Sequence, residues 1–174
     1  MFTAGILNLI NFLPKMDQAL ARYTNPAQIR QYRRGLSSLE RELGELMRWK
    51  RQTLLAITDW YDEEGLRRSM DSWPAVRRST WAALRFLDPV HFDYLAENVR
   101  ADYELVEKSL EAALDRKDSA MAIMTTRYMG SSHLEQMAIA LRASEQSLTQ
   151  AIAAVKTSQK NADRLLQRLA RPSQ

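Results

Sequence analysis

Cysteine is absent from the 174 residues, glycine and proline number five each, and histidine only two. The first absence excludes disulfides, thiolate metal sites, thiol nucleophiles and thiol redox switches, and it fits a reducing cytosol as well as a cysteine-free secreted chain. Scarce histidine leaves little room for imidazole chemistry. Neither His91 nor His133 has a glutamate three residues before it, so the Glu-x-x-His pairs of a di-iron bundle are missing. His91-Phe92-Asp93 and His133-Leu134-Glu135 place a carboxylate two residues on, which on a helix points to a different face. No HExxH, Walker loop, GxGxxG or GxSxG elbow occurs. Apolar runs of about 18 residues are missing too, so no transmembrane helix of the usual length is expected. The first fourteen residues have no basic segment and no nearby small-x-small cleavage site, and Asn8 and Asn11 interrupt their apolar character. No signal peptide is expected, and the cytoplasm is the favoured compartment.

What is present is the composition of a soluble helical domain, 45% hydrophobic and 26% charged. A chain of this length buries roughly 70% of its unfolded surface, so one core, spanning residues 1–174, needs neither disulfide nor structural metal. Charge is uneven: residues 1–87 hold 14 basic and 9 acidic side chains, residues 88–174 hold 11 and 12. The net of +4 therefore lies wholly in the first half.

Helical periodicity dominates. Phe2, Ile6, Leu9, Leu13, Met16 and Leu20 form one stripe at spacings of four and three, widened by Ile10, with Leu7 and Phe12 outside it. Pro14 is expected to kink or restart this helix. Asn25-Pro26 reads as a cap followed by a residue preset for the first helical position. Behind it Ile29, Tyr32, Leu36, Leu39, Leu43 and Leu46 keep heptad spacing, Lys50 and Thr53 break the seam, and Leu54, Ile57 and Tyr61 resume it, which predicts one helix from Pro26 to Tyr61. Asp62-Glu63-Glu64-Gly65 is expected to close it. Leu66 to Met70 reads as a turn or two, Ser72 and Pro74 as a new cap, and Val76, Trp81 and Leu84 as a short helix ending before Asp88. Asp88-Pro89 opens a second long helix carrying Phe92, Leu95, Val99, Tyr103, Val106, Leu110 and Ala113. A last helix runs from about Leu134 to Pro172, with a break expected at Gly130, after Met121, Met124 and Met129. The fold class is all-α: an elongated antiparallel bundle of four to six helices, two or three of them long, with coiled-coil-like seams.

Sites of bond-making chemistry are not legible. Glu104, Glu107 and Glu111 interleave with Lys108 on what reads as a solvated face. The expectation is a protein that is not an enzyme, with no cofactor and no metal. Interaction features are clearer. Asp59-Trp60-Tyr61-Asp62 is an aromatic corner rimmed by charge, and with Trp73 and Trp81 it supplies candidate interface anchors. Arg30, Arg34, Arg41 and Arg48 recur at spacings of four and seven as a basic ridge, flanked by Arg33 and Arg51, with Glu40, Glu42 and Glu45 expected to neutralise part of its field. Arginine outnumbers lysine 19 to 6, so the chain is Arg-rich. Phe2, Ile6, Leu9, Ile10 and Leu13, in a segment without a charged side chain, can enter the bundle, a partner's groove or a lipid surface.

In outline, the uncharged stretch Met1 to Leu13 ahead of a helical bundle resembles the HeLo-like and MLKL-like cell-death effectors. That resemblance implies a first helix that acts on membranes; residues 1–13 themselves read as an amphipathic helix separable from the rest of the domain. From the residues themselves, the leading expectation is a helical bundle working through a protein partner or a second copy of itself. A membrane-associated or membrane-perturbing bundle, meeting an anionic surface, is the alternative. Nucleic acid ranks last as a partner, since no recognition helix or stacking platform is legible.

Overall fold

The computed structural model of the chain describes residues 2–22, 25–58, 62–92, 97–114 and 131–171. Among them are five α-helices: α1 Phe2–Ala21, α2 Pro26–Thr58, α3 Glu63–Arg85, α4 Glu97–Leu114 and α5 Ser131–Ala170. One 3-10 turn, Pro89–His91, lies between α3 and α4. The chain is an all-α helical bundle, as its periodicity predicts. At 1.5 Å per residue the 33 residues of α2 span about 50 Å and the 40 of α5 about 60 Å.

Consecutive helices run antiparallel. Lys15 pairs with Asp102 and Asn8 donates to the Ser109 hydroxyl, which fixes α1 against α4. Trp49 reaches Ser69 and Ser72 across the α2–α3 joint. Arg33 to Asp163 and Arg51 to Glu145 align α2 against α5. The fifth helix therefore returns parallel to α1 and packs on both α1 and α2. Asp17 joins all three: its carboxylate accepts from the Tyr32 hydroxyl at 2.8 Å, the Ser158 hydroxyl at 2.9 Å and the Asn161 amide at 3.0 Å. Burial, with the Asp17 charge beside it, pushes the Tyr32 phenol well above its ordinary value, so it stays a donor.

The seams close within this chain. Ile6, Leu9, Leu13, Met16 and Leu20 of α1 and Ile29, Tyr32, Leu36, Leu39, Leu43 and Leu46 of α2 are all buried. Phe12, outside the α1 stripe, is buried too, because α4 covers that flank and Tyr103 meets it edge-on at 5.7 Å. Gly5 permits the close approach of α1 to α4: a Cβ there would stand 2.9 Å from Leu110 Cδ2 and 3.1 Å from the Ser109 backbone.

Several expected boundaries are corrected. Pro14 does not restart α1, which runs through it with the proline ring exposed. Thr53 does not break the α2 seam. It is fully buried because its hydroxyl donates to the Trp49 carbonyl at 2.8 Å, which removes the cost of an unpaired polar group. Asp62 opens α3 instead of closing α2: its carboxylate accepts from the Gly65 amide at 2.8 Å, and a Cβ at Gly65 would collide with that carboxylate. Nor does Pro74 start a helix. The chain is helical from Glu63 to Arg85 and runs through Pro74. Asp88-Pro89 caps only the 3-10 turn, with Asp88 accepting from the Val90 amide, before the chain extends at Phe92. Trp60, Tyr61, Leu95, Met121, Met124, Met129 and Gly130 lie outside the described residues.

Candidate interaction surface

Helix α2 carries two rows at heptad spacing. The inner one is consumed by the bundle. The outer one, Arg34, Arg41, Arg48 and then Leu55, is exposed along its whole length, and Arg30 stands exposed one turn before it. Leu55 is 58% exposed, high for a leucine in a folded helix. The acidic residues expected to blunt the ridge do so unequally. Glu40 turns away to α5, where it accepts from Gln159 at 2.7 Å and lies 3.7 Å from Lys156. Glu42 takes Arg41 Nε at 3.0 Å and Glu45 takes Arg48 Nη1 at 3.1 Å. Such exposed pairs are worth about 0–1 kcal/mol and exchange partners readily. Arg30 and Arg34 make no ion pair with another described residue. The flanking arginines are structural instead: Arg33 holds Asp163 at 3.0 Å and Arg51 holds Glu145 at 2.6 Å.

The aromatic candidates divide. Trp73 is only 8% exposed and lies against Trp49, ring centroids 4.7 Å apart, with the Trp49 indole nitrogen donating to the Ser69 carbonyl at 2.9 Å. It therefore works as core at the α2–α3 joint. Trp81 is half-buried, with the Arg85 guanidinium over its ring at 5.4 Å. It floors a groove of about 330 Å³ between α3 and α4 whose described lining also includes Pro74, Arg77, Arg78 and Glu111.

The N-terminal stripe is likewise occupied. Ile6, Leu9 and Leu13 are buried in the bundle and Ile10 packs against the core from its edge, while the Phe2 side chain lies outside the described set. What α1 shows to solvent includes Leu7, Asn11, Pro14, Lys15 and Gln18.

Among titratable groups, His91 is exposed and the His133 side chain is outside the described set. No group of three or more metal-ligating residues comes together among the described residues. Lys50 is half-buried at the level where α2 passes from leucine seam to tryptophan joint, and burial lowers its ammonium to about 8. No described helix is long and apolar enough to cross a membrane.

Sequence reasoning reads Glu104, Glu107 and Glu111 with Lys108 as a solvated face. Helix α4 holds five carboxylates against two basic residues, but its exposed stripe mixes both signs as Arg100, Glu104, Lys108 and Glu111, with Leu105, 55% exposed, beside Glu104. Comparison of the chain with protein-family models, with curated proteins and with solved structures returns no match in any of the three.

Proposed function

We propose that this protein is a non-enzymatic helical bundle that works by presenting its outer helix faces to a protein partner or to a second copy of itself. The observation that carries the reading is the second row of α2. Arg34, Arg41, Arg48 and Leu55 repeat with the period of a packing seam, yet among the described residues no helix covers them. The inner seams give no such support, because they are already filled. A row of guanidinium groups ending in an exposed leucine suits an acidic helical face, since charge provides register and encounter rate while apolar contact provides retention.

The test is size-exclusion chromatography with light scattering on the intact chain at rising concentration, alongside affinity capture with purified candidates. A mass rising above the 20.1 kDa of one chain supports the reading. A constant single-chain mass up to about millimolar concentration, with no partner bound, contradicts it. The membrane alternative has no comparable observation in its favour, because Ile6, Leu9 and Leu13 of the stripe it would use lie in the core. Its test needs the intact chain, since deleting residues 1–13 would remove Ile6, Leu9, Phe12 and Leu13 from the bundle.

A further inference from the structure

The exposed face of α5 becomes uniformly basic toward its end. From Lys156 to Arg171 the chain holds five basic residues, Lys156, Lys160, Arg164, Arg168 and Arg171, all exposed, against one acidic residue, Asp163. The first four fall four residues apart, about 6 Å along the axis, and so wind over the outer side of the helix for about 18 Å. Arg33 of α2 reaches Asp163, and Arg30, one turn earlier on α2, is exposed, which brings a cation of a second helix to the same end of the bundle. The carboxylates bordering this face are already engaged: Asp163 by Arg33, Glu40 by Gln159 with Lys156 at 3.7 Å, and Asp17 by Tyr32, Ser158 and Asn161. Arg30, Lys160, Arg164, Arg168 and Arg171 make no ion pair with another described residue. Helix α5 contains no Phe, Tyr or Trp, and past Lys156 its one exposed large apolar side chain is Leu169, at 36%.

We infer that this basic face, made by Lys160, Arg164, Arg168 and Arg171 of the α5 end with Arg30 of α2, binds the phosphate backbone of a nucleic-acid duplex without reading its sequence. Four of the five cations are arginine, whose planar fork pairs two phosphate oxygens at once. A duplex carries one negative charge per about 1.7 Å of axis, so a basic face of this length meets the same sign along all of it, and each neutralised phosphate releases condensed counterions. Phosphate contacts position a protein without specifying bases, so no recognition helix is required. A single strand is held by aromatic rings on which its bases stack, and α5 has none. A bilayer or an acidic protein helix is retained by apolar contact, of which Leu169 alone offers little. The site goes beyond the proposed protein contact of α2 and does not rest on it, since none of its five cations belongs to the row from Arg34 to Leu55.

Fluorescence anisotropy with a labelled DNA duplex of about 20 base pairs, two helical turns, tests this on three full-length proteins. They are the natural chain, the combined variant Lys160→Gln, Arg164→Gln, Arg168→Gln and Arg171→Gln, and the pair Arg41→Gln with Arg48→Gln. All positions are exposed, and circular dichroism checks that each variant is folded. The natural chain is expected to bind two unrelated duplex sequences equally, with Kd about 10⁻⁶–10⁻⁴ M near physiological salt and a slope of log K against log salt between about −4 and −5. The α5 variant should bind at least about tenfold more weakly at about 0.05 M salt, with a slope near about −1, while the α2 pair stays within about threefold of the natural chain. An α5 variant that loses less than about tenfold, or a loss that follows the α2 pair instead, overturns the inference. So does tighter binding of a single strand of the same length. Failure of the natural chain to bind the duplex at about 0.05 M salt overturns it as well, and binding to phosphatidylserine vesicles in that case assigns the face to lipid phosphate. None of these outcomes touches the proposed protein contact of α2, which is read from molecular mass and affinity capture.

Discussion

Replacing Asp17 is expected to loosen three helices at once, and the size of the effect follows from the partners its carboxylate holds. Tyr32 and Ser158 are buried and Asn161 is half-buried, and each donates to Asp17 within 3.0 Å. A hydrogen bond to a charged acceptor contributes about 1.5–3 kcal/mol, so the three together set a gross ceiling of roughly 5–9 kcal/mol. Not all of it is lost in Asp17→Ala, because Asn161 can rehydrate and the Ser158 hydroxyl can turn to the Tyr32 oxygen. The stranded Tyr32 hydroxyl and the small cavity then cost about 3 kcal/mol, which for a chain of this size lowers Tm by roughly 6–12 °C. Asp17→Asn keeps the shape but offers one acceptor oxygen where three donors converge, and should cost about 1–2 kcal/mol. A double-mutant cycle with Tyr32→Phe should show a coupling of roughly 1.5 kcal/mol. Urea unfolding followed by circular dichroism reads all of these as shifts of the midpoint at constant slope. An Asp17→Ala protein within about 0.5 kcal/mol of the natural chain, or a cycle that is strictly additive, would refute the claim that this carboxylate joins α1, α2 and α5.

Two glycines should respond in opposite directions: at Gly44 a Cβ meets nothing within 4 Å, so Gly44→Ala is expected to stabilise by about 0.5–1 kcal/mol through helix propensity. Gly5→Val forces α1 away from the Ser109 backbone and should cost about 2–3 kcal/mol in the same unfolding measurement. Trp73→Ala removes a buried ring packed against Trp49 and is expected to cost about 3–5 kcal/mol, against less than about 1 kcal/mol for Arg34→Ala on the outer row. Lys50 supplies a pH signature: its pKa is about 8 when folded against 10.5 when unfolded, so the unfolded chain binds more protons between those values and stability rises with pH across that window. Lys50→Met should flatten the rise, which amounts to at most about 3 kcal/mol. Above about pH 10 the trend reverses, because Tyr32 and Tyr103 are held neutral in the fold while the unfolded phenols ionise.

The inner rows of α1 and α2 were legible because each turn of those helices buries the same side, and a three-four repeat of leucine records that directly. What was not legible depends on contacts between helices. Thr53 looks like a break in the seam until its hydroxyl is seen bonded to the Trp49 carbonyl, and Pro74 looks like a helix start although the helix runs through it from Glu63 to Arg85. Asp62 and Gly65 form a cap whose direction cannot be read from composition, since an acidic cluster with glycine serves the end of one helix as well as the start of the next. The arginine row was legible as a ridge. Its separation from Glu40 was not, because only the return of α5 draws that carboxylate away. Residue type alone marks Trp73 as an anchor, whereas its neighbour at 4.7 Å is another buried indole.

Equilibrium sedimentation of the intact protein, from about 1 µM to about 1 mM and at about 0.05 M and 0.5 M salt, tests the central claim that outer helix faces are this molecule's working surface. The account expects an average mass that climbs above 20.1 kDa with concentration at low salt and falls back at high salt. A mass fixed at one chain under every condition with no partner bound in affinity capture, or association that strengthens as salt is added, would contradict it.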